Sequence, residues 1–299
     1  MFEWLWAVFT VTASGAQTVR NGVQRSLTKR LGTVGATHVR FLYGLPFSLL
    51  FLLIVCLTVG AAPPAPNIAF LLWVALGALA QILATGLMLS AMNEKSFVVT
   101  TALTKTEPIH VALFAVVILG EHLSALAVMA ILIATGGVLM MSWPAGTETR
   151  GFKANARPAL RGIISGALFG AAAVGFRGGV LSLEHASFVL RASTTLVWGL
   201  TFQAVSLSAY LAMRERQVLI DVLKAWRSSL PAGFTGALAS QFWFLAFALE
   251  QVARVRTLAL IEVVFAWALS RKVFRQGTTS VEAAGLLLVV LGVGLILNS

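Results

Sequence analysis

The residues of this chain that could do chemistry stand inside apolar sequence. Lys105, Glu107 and Glu262 interrupt long runs of Val, Leu, Ile and Ala, and Arg20, Arg40, Arg177 and Arg191 lie nearer the ends of such runs. In a lipid medium each ionisable side chain costs roughly 2.5–3.5 kcal/mol on insertion scales, so it faces a partner or a wet cavity. Two readings stand for Glu107 and Glu262. Either they carry protons or bind a substrate amine, or they are fixed ion-pair partners of Lys105 or an arginine. Lys105 precedes Glu107 by two positions, so on one helix their side chains diverge and each needs a partner elsewhere. The arginines either snorkel to the interface or turn inward. Turned inward, Arg20, Arg40, Arg177 and Arg191 with Lys105 would favour carboxylate or phosphate groups. Cations and buried acids together would suit a zwitterion such as an amino acid.

Neutral side chains leave similar choices open. Gln81 and Gln241 either hydrogen-bond a ligand or bridge helices. Trp243, Trp198 and Trp267 either stack on an aromatic or cationic substrate or pack between helices. His38 and His110 have no partner at metal-ligand spacing and are expected to bond between helices. Glu121, at a membrane edge, is expected to act in a loop or cap. The Gly166-x-x-x-Gly170 spacing permits close helix approach. The sequence has no glycine-rich phosphate loop after a strand, no His-Glu-x-x-His helix and no supported nucleophile triad. It therefore implies no catalytic residue, no metal site and no cofactor. The single cysteine, Cys56, rules out a disulfide within the chain.

Elements that can position such residues follow from composition. Of 299 residues, 58% are hydrophobic and 11% charged, against about 25% charged in ordinary soluble domains. Apolar stretches of bilayer-crossing length, about 20 residues, recur near 4–23, 33–60, 68–92, 96–119, 124–143, 161–183, 187–213, 231–250, 253–271 and 280–297. The expected fold is an all-α polytopic membrane protein of ten transmembrane helices. The start, Met1-Phe2-Glu3-Trp4, has no positive n-region and reads as a retained first span. Three prolines between Ala61 and Asn67 stop any helix, and Pro144 to Arg161 is the longest polar break. Between Arg214 and Ser229, Leu219, Val222, Leu223 and Trp226 follow helical spacing among Arg and Lys, as in an amphipathic surface helix.

The formal charge of +11 reads as a topology signal. Nearly all loop Lys and Arg, from Arg25, Lys29 and Arg30 to Arg271, Lys272 and Arg275, fall in odd-numbered loops, whereas Arg254 and Arg256 lie in or beside loop 8–9. The positive-inside rule puts the odd loops in the cytoplasm and both termini in the periplasm. No basic patch with interleaved aromatics suggests nucleic acid.

The two halves match in order. Val19-Arg20-Asn21-Gly22-Val23 resembles Phe176-Arg177-Gly178-Gly179-Val180, and Arg40 sits like Arg191. Gly77-Ala78-Leu79-Ala80-Gln81 parallels Gly236-Ala237-Leu238-Ala239-Ser240-Gln241. A constant offset of 155 pairs Glu107 with Glu262 and Gly137 with Gly292. Five spans are an odd number, so the second copy enters the membrane from the opposite face. Such inverted repeats place a substrate near the pseudo-two-fold axis and support alternating access. The expected units are a repeat over 1–143, a cytoplasmic linker over 144–160 and a repeat over 161–299.

Glu107-Pro108, an apolar run, Leu119-Gly120-Glu121-His122-Leu123-Ser124 and a span ending in Gly136-Gly137 resemble the EamA branch of the drug/metabolite transporter superfamily. In the second copy Val263 stands at the proline position and Gln276 at the glutamate. The resemblance implies ten spans in the bacterial inner membrane, export or exchange of small metabolites, and a cavity lined largely by spans 1, 3, 4, 6, 8 and 9. The expected function is a secondary transporter of amino-acid-like or other small polar compounds, with a proton as the natural driving ion. Membrane lipid and the small-molecule substrate are its expected partners. Glu107 is the expected central residue, with Lys105, Glu262, Arg20, Arg177, Gln81, Gln241 and Trp243 in support. An intramembrane enzyme acting on a lipid-linked substrate and a non-transporting membrane partner are the alternatives.

Overall fold

A computed structural model describes residues 4–91, 103–142, 152–265, 267 and 279–299. The described chain is helical and contains no strand. Its helices are α1 Leu5–Leu42, α2 Leu45–Val59, α3 Ile68–Ala91, α4 Glu107–Leu119, α5 Ala125–Ser142, α6 Phe152–Ser182, α7 Phe188–Arg214, α8 Arg216–Lys224, α9 Trp226–Leu249, α10 Val252–Leu258 and α11 Ser280–Leu297.

The solvent logic is that of a membrane protein. Leu53 and Leu57 of α2, Leu72 and Leu83 of α3, and Leu287 and Leu291 of α11 point outward. Arg20, Gln24, His38, Arg40, Thr135 and Gln203 are buried. Lipid solvates the first set, and the second finds partners inside the bundle. Among the described residues, six helical stretches are long and apolar enough to cross a membrane, with two shorter apolar helices, Glu107–Leu119 and Ala125–Met141. The first half of α1 is not one of the six. Gln17, Arg20, Asn21 and Gln24 lower its hydropathy, and their inward placement makes that composition tolerable.

Several boundaries differ from the sequence reading, each for a local reason. The first span continues past residue 23 to a kink at Gly32, whose φ of +69° needs a residue without a Cβ. The second span is divided at 43–44, where α1 gives way to α2 with a proline in its first turn. Helix α6 begins at Phe152, inside the expected linker, because Phe152 to Ala159 contains good helix formers and Pro158 does not stop the run. Residues 143–151 lie outside the described set.

The expected amphipathic helix is α8, but its apolar side does not lie against lipid alone. Val222, Ala225 and Val218 pack on Leu27, Leu31, Ala36 and Val39 of α1, and the Tyr43 hydroxyl donates to the Val222 carbonyl at 2.9 Å. Helix α8 therefore clamps the kinked hairpin of α1.

Helix pairing follows a pattern across the halves. α1 packs along α9, α3 along α6, and α5 along α11, with α4 on α6 and α2 on α7. Small residues set the closest approach: a Cβ on Gly137 would stand 2.6 Å from the Gly285 carbonyl oxygen, so α5 and α11 meet backbone to backbone.

Candidate functional site

Two helical paths break at the same level of the bundle. Residues 103–104 are helical, 105–106 form a turn, and α4 starts at Glu107. Pro108 causes this break, because it lacks an N–H and its ring opposes the carbonyl four residues earlier. Gly166 of α6 makes room there, since a Cβ would meet the Thr104 carbonyl oxygen at 3.0 Å. In the second half, α10 ends at Leu258, 259–260 form a turn, and helix resumes over 261–265. No proline is present. Three tightened bonds, Leu260 N–H to Thr257, Glu262 N–H to Ala259 and Val263 N–H to Leu260, carry the chain through instead.

The breaks open onto a cavity of about 300 Å³, the lower end of the range usual for small-molecule sites. Its charged lining is Arg20 and Arg40 of α1, Lys105 and Glu107 at the first break, Arg256 of α10 and Glu262 past the second. Both acids are engaged across the halves. Glu107 Oε2 accepts from Arg256 Nη2 at 2.6 Å, with Oε1 2.5 Å from the same nitrogen, and Lys105 donates to Glu262. The fixed ion-pair reading thus describes both carboxylates in this state. Each pair ties one interrupted helix to the other.

Arg20 and Arg40 differ from the other cations. Each residue is 3% exposed, and neither has a carboxylate partner among the described residues. Arg20 donates to Asn21 Oδ1 at 2.8 Å while its Nη1 lacks a partner. Arg40 packs 5.2 Å from the Phe41 ring centroid, and its Nε lacks a partner. Their stems lie on Gly236 of α9, where a Cβ would come within 3.2 Å of Arg40 Cγ and 3.5 Å of Arg20 Cδ. Glycine at 236 lets both guanidinium groups reach the cavity.

The rest of the lining is aromatic and amide. Trp243 lies under Arg256, 4.4 Å from ring centroid to guanidinium carbon, and donates to Gln17 Oε1 at 3.2 Å. Phe247 stacks on Trp243 and Phe244 on Phe247, with Phe176 tilted against Phe244. Gln81 also lines the cavity while accepting from Gln203 at 2.8 Å.

The structure thus brings together Glu107, Lys105, Glu262, Arg20, Gln81 and Trp243 of the expected set. It separates two. Gln241 donates to Ser193 Oγ at 2.9 Å and bridges α9 to α7. Arg177 does not line the cavity. It donates to Glu121 Oε1 at 3.0 Å and to the Phe247 carbonyl, so the Glu121 side chain acts through an ion pair, while Gly120 caps α4. Arg191 is also outside the lining, and the inward set of four related arginines is not formed. Trp198 is 39% exposed on the outer face against Phe70. His38 meets Ser208 across helices at 3.0 Å, whereas His110 meets the Thr106 carbonyl of its own segment. Arg256 was missed as a site residue because its nearness to loop 8–9 made it a topology charge. The available signal was its position only six residues before Glu262 within an apolar span.

These features define a multi-pass membrane protein with a central polar cavity held between two interrupted helices. Residues 1–143 match the model of the EamA-like transporter family. That match covers 143 of the 299 residues and agrees with the motifs that resemble the drug/metabolite transporter superfamily. No curated protein matches the chain. A solved structure titled "Crystal structure of protein" superposes with a TM-score of 0.68 at 16% identity, covering 97% of this chain and 98% of that one. At that identity the likeness is one of fold.

Proposed function

We propose that the protein is a secondary transporter, an exporter or exchanger of a small polar metabolite, working by alternating access in a bacterial inner membrane. In this reading ten spans form two inverted five-helix repeats over 1–143 and 161–299, and both termini are periplasmic. The observation that carries it is the cavity at the crossing of the two halves, where α4 and the ninth span both break. Discontinuous helices at mid-depth are the usual way for inverted-repeat transporters to build a substrate site. The helix pairs agree with the symmetry: α1 on α9 and α3 on α6 exchange places when the halves are exchanged, while α5 on α11 and α2 on α7 map onto themselves.

The ion pairs give this mechanism its movable parts. Glu107 to Arg256 and Lys105 to Glu262 hold the two breaks together, so a proton on Glu107 or a substrate competing for Arg256 would loosen the halves. At one end Arg177 ties α6 to Glu121 after α4 and to Phe247 of α9, a latch the alternate state has to open. The test is exchange of labelled metabolites by protein reconstituted in liposomes. Uptake by wild type with altered rate and pH dependence in Glu107→Gln supports the reading. An unchanged Glu107→Gln variant rejects the coupling role, and chemical turnover in detergent without a sealed vesicle would favour an enzyme.

A further inference from the structure

Among the described residues, the cavity holds more cations than acids to balance them. Arg20, Arg40, Lys105 and Arg256 face it, against Glu107 and Glu262. Both acids are already engaged, by Arg256 and Lys105. Arg20 and Arg40 lie together over Gly236, and Arg256 lines the same cavity. A guanidinium group held in a bundle without a counter-charge is costly, and two of them side by side are more so. Such an arrangement persists when a ligand supplies the missing charge.

We propose that the substrate is a small organic anion whose carboxylate or phosphate group is bound by Arg20 and Arg40. This rests on the transporter reading and narrows it to a chemical class. A guanidinium pair presents several N–H donors to two or three acceptor oxygens, which suits planar carboxylate and tetrahedral phosphate alike. The rest of the molecule lies over Trp243, Phe176 and Phe244, and Gln81 and Asn21 offer neutral polar contacts. An amine is not provided for: no cavity carboxylate among the described residues is unpaired, and an ammonium group would add to the existing repulsion. The amino-acid-like ligand expected from the sequence would therefore bind through its carboxylate, and removing its ammonium group would strengthen binding.

The test uses the purified full-length protein in detergent at constant ionic strength, with thermal stability and titration calorimetry as readouts. The probes are succinate, 3-phosphoglycerate, alanine and choline. Succinate or 3-phosphoglycerate is expected to stabilise wild type, alanine less so, and choline not at all. In Arg20→Gln and Arg40→Gln the anion affinity is expected to fall about 10- to 100-fold, the loss of one charge-assisted contact, and Arg40→Lys is expected to recover part of it. Because neutralisation removes an unbalanced buried charge, the ligand-free variants are expected to melt no lower than wild type. A merely structural arginine would lower the melting temperature instead. The inference is overturned if no anion in the panel stabilises the protein, if choline or alanine does so better, or if both Gln variants keep wild-type anion affinity. Liposome exchange separates the two readings. Anion binding without anion movement sinks transport and leaves the site standing, whereas transport of an amine without anion binding sinks the site alone.

Discussion

The Glu107–Arg256 pair can be tested by a double-mutant cycle. Both side chains are nearly enclosed, 11% and 12% exposed, and joined by a 2.6 Å hydrogen bond from Arg256 Nη2 to Glu107 Oε2. In Glu107→Gln the amide keeps one acceptor for Arg256 but removes the counter-charge, leaving a guanidinium group buried beside Arg20 and Arg40. Breaking a buried pair in this way costs about 3–5 kcal/mol. The lower end applies here, because Trp243 still lies 4.4 Å from Arg256 and a desolvated cation–π contact retains roughly 2 kcal/mol. At about 2–4 °C per kcal/mol for a chain of this order, the expected drop in Tm is about 6–12 °C. Arg256→Gln alone is expected to cost a similar amount, since it strands the carboxylate. The double Gln variant removes both charges and is expected to recover most of the loss, with a coupling of about 2 kcal/mol or more. The assay is thermal denaturation of the three variants and wild type in one detergent at one pH. Single variants within about 1 kcal/mol of wild type, or a double variant losing the sum of both, would refute the claim that this pair holds the two breaks together.

Further expectations concern parts of the fold away from the central pair. Gly137→Leu places side-chain atoms where the Gly285 carbonyl oxygen stands, so α5 and α11 must separate; a loss of about 1–3 kcal/mol by overpacking is expected in thermal melts, with anion affinity unchanged. Arg177→Gln and Glu121→Gln both weaken the same latch, and in a Cys56→Ala background both should raise thiol labelling of a cysteine placed at Phe247, Arg177→Gln by the larger factor because it also removes the bond to the Phe247 carbonyl. Val222→Asp puts a carboxylate among Leu27, Leu31 and Val39; several kcal/mol of destabilisation are expected, read as loss of monodisperse protein by size exclusion. Tags at both termini should be reachable from the periplasm, as an impermeant protease or label applied to spheroplasts would show.

Much of the site was legible because ionisable residues are so expensive in lipid. Lys105, Glu107 and Glu262 announced themselves by depth alone, and the requirement for partners on other helices was met by two ion pairs between the halves. Pairing itself was not legible. Which arginine reaches Glu107 depends on where the helix after α10 breaks, at 259–260, and that break has no proline to mark it. Arg40 was harder still. Seven residues into its span it could snorkel, and the groove over Gly236 that draws it inward comes from α9, almost 200 positions away. The first expected span, 4–23, is not among the six stretches long and apolar enough to cross a membrane, because Gln17, Arg20, Asn21 and Gln24 lower its hydropathy.

The fate of Arg20 and Arg177 carries the argument furthest. In the proposed inverted-repeat reading they are mates, yet Arg177 is bound to Glu121 while Arg20 faces the cavity with no acid partner among the described residues. The sequence contains the reason for half of this. Glu121 has Gln276 as its mate at the offset of 155, so the second copy offers no carboxylate to play for Arg20 the part that Glu121 plays for Arg177. An inverted repeat that kept both acids would neutralise both arginines and make two latches. In that reading one acid fewer leaves a latch at one end and an unpaired cation in the cavity, which is the arrangement the proposed anion site uses.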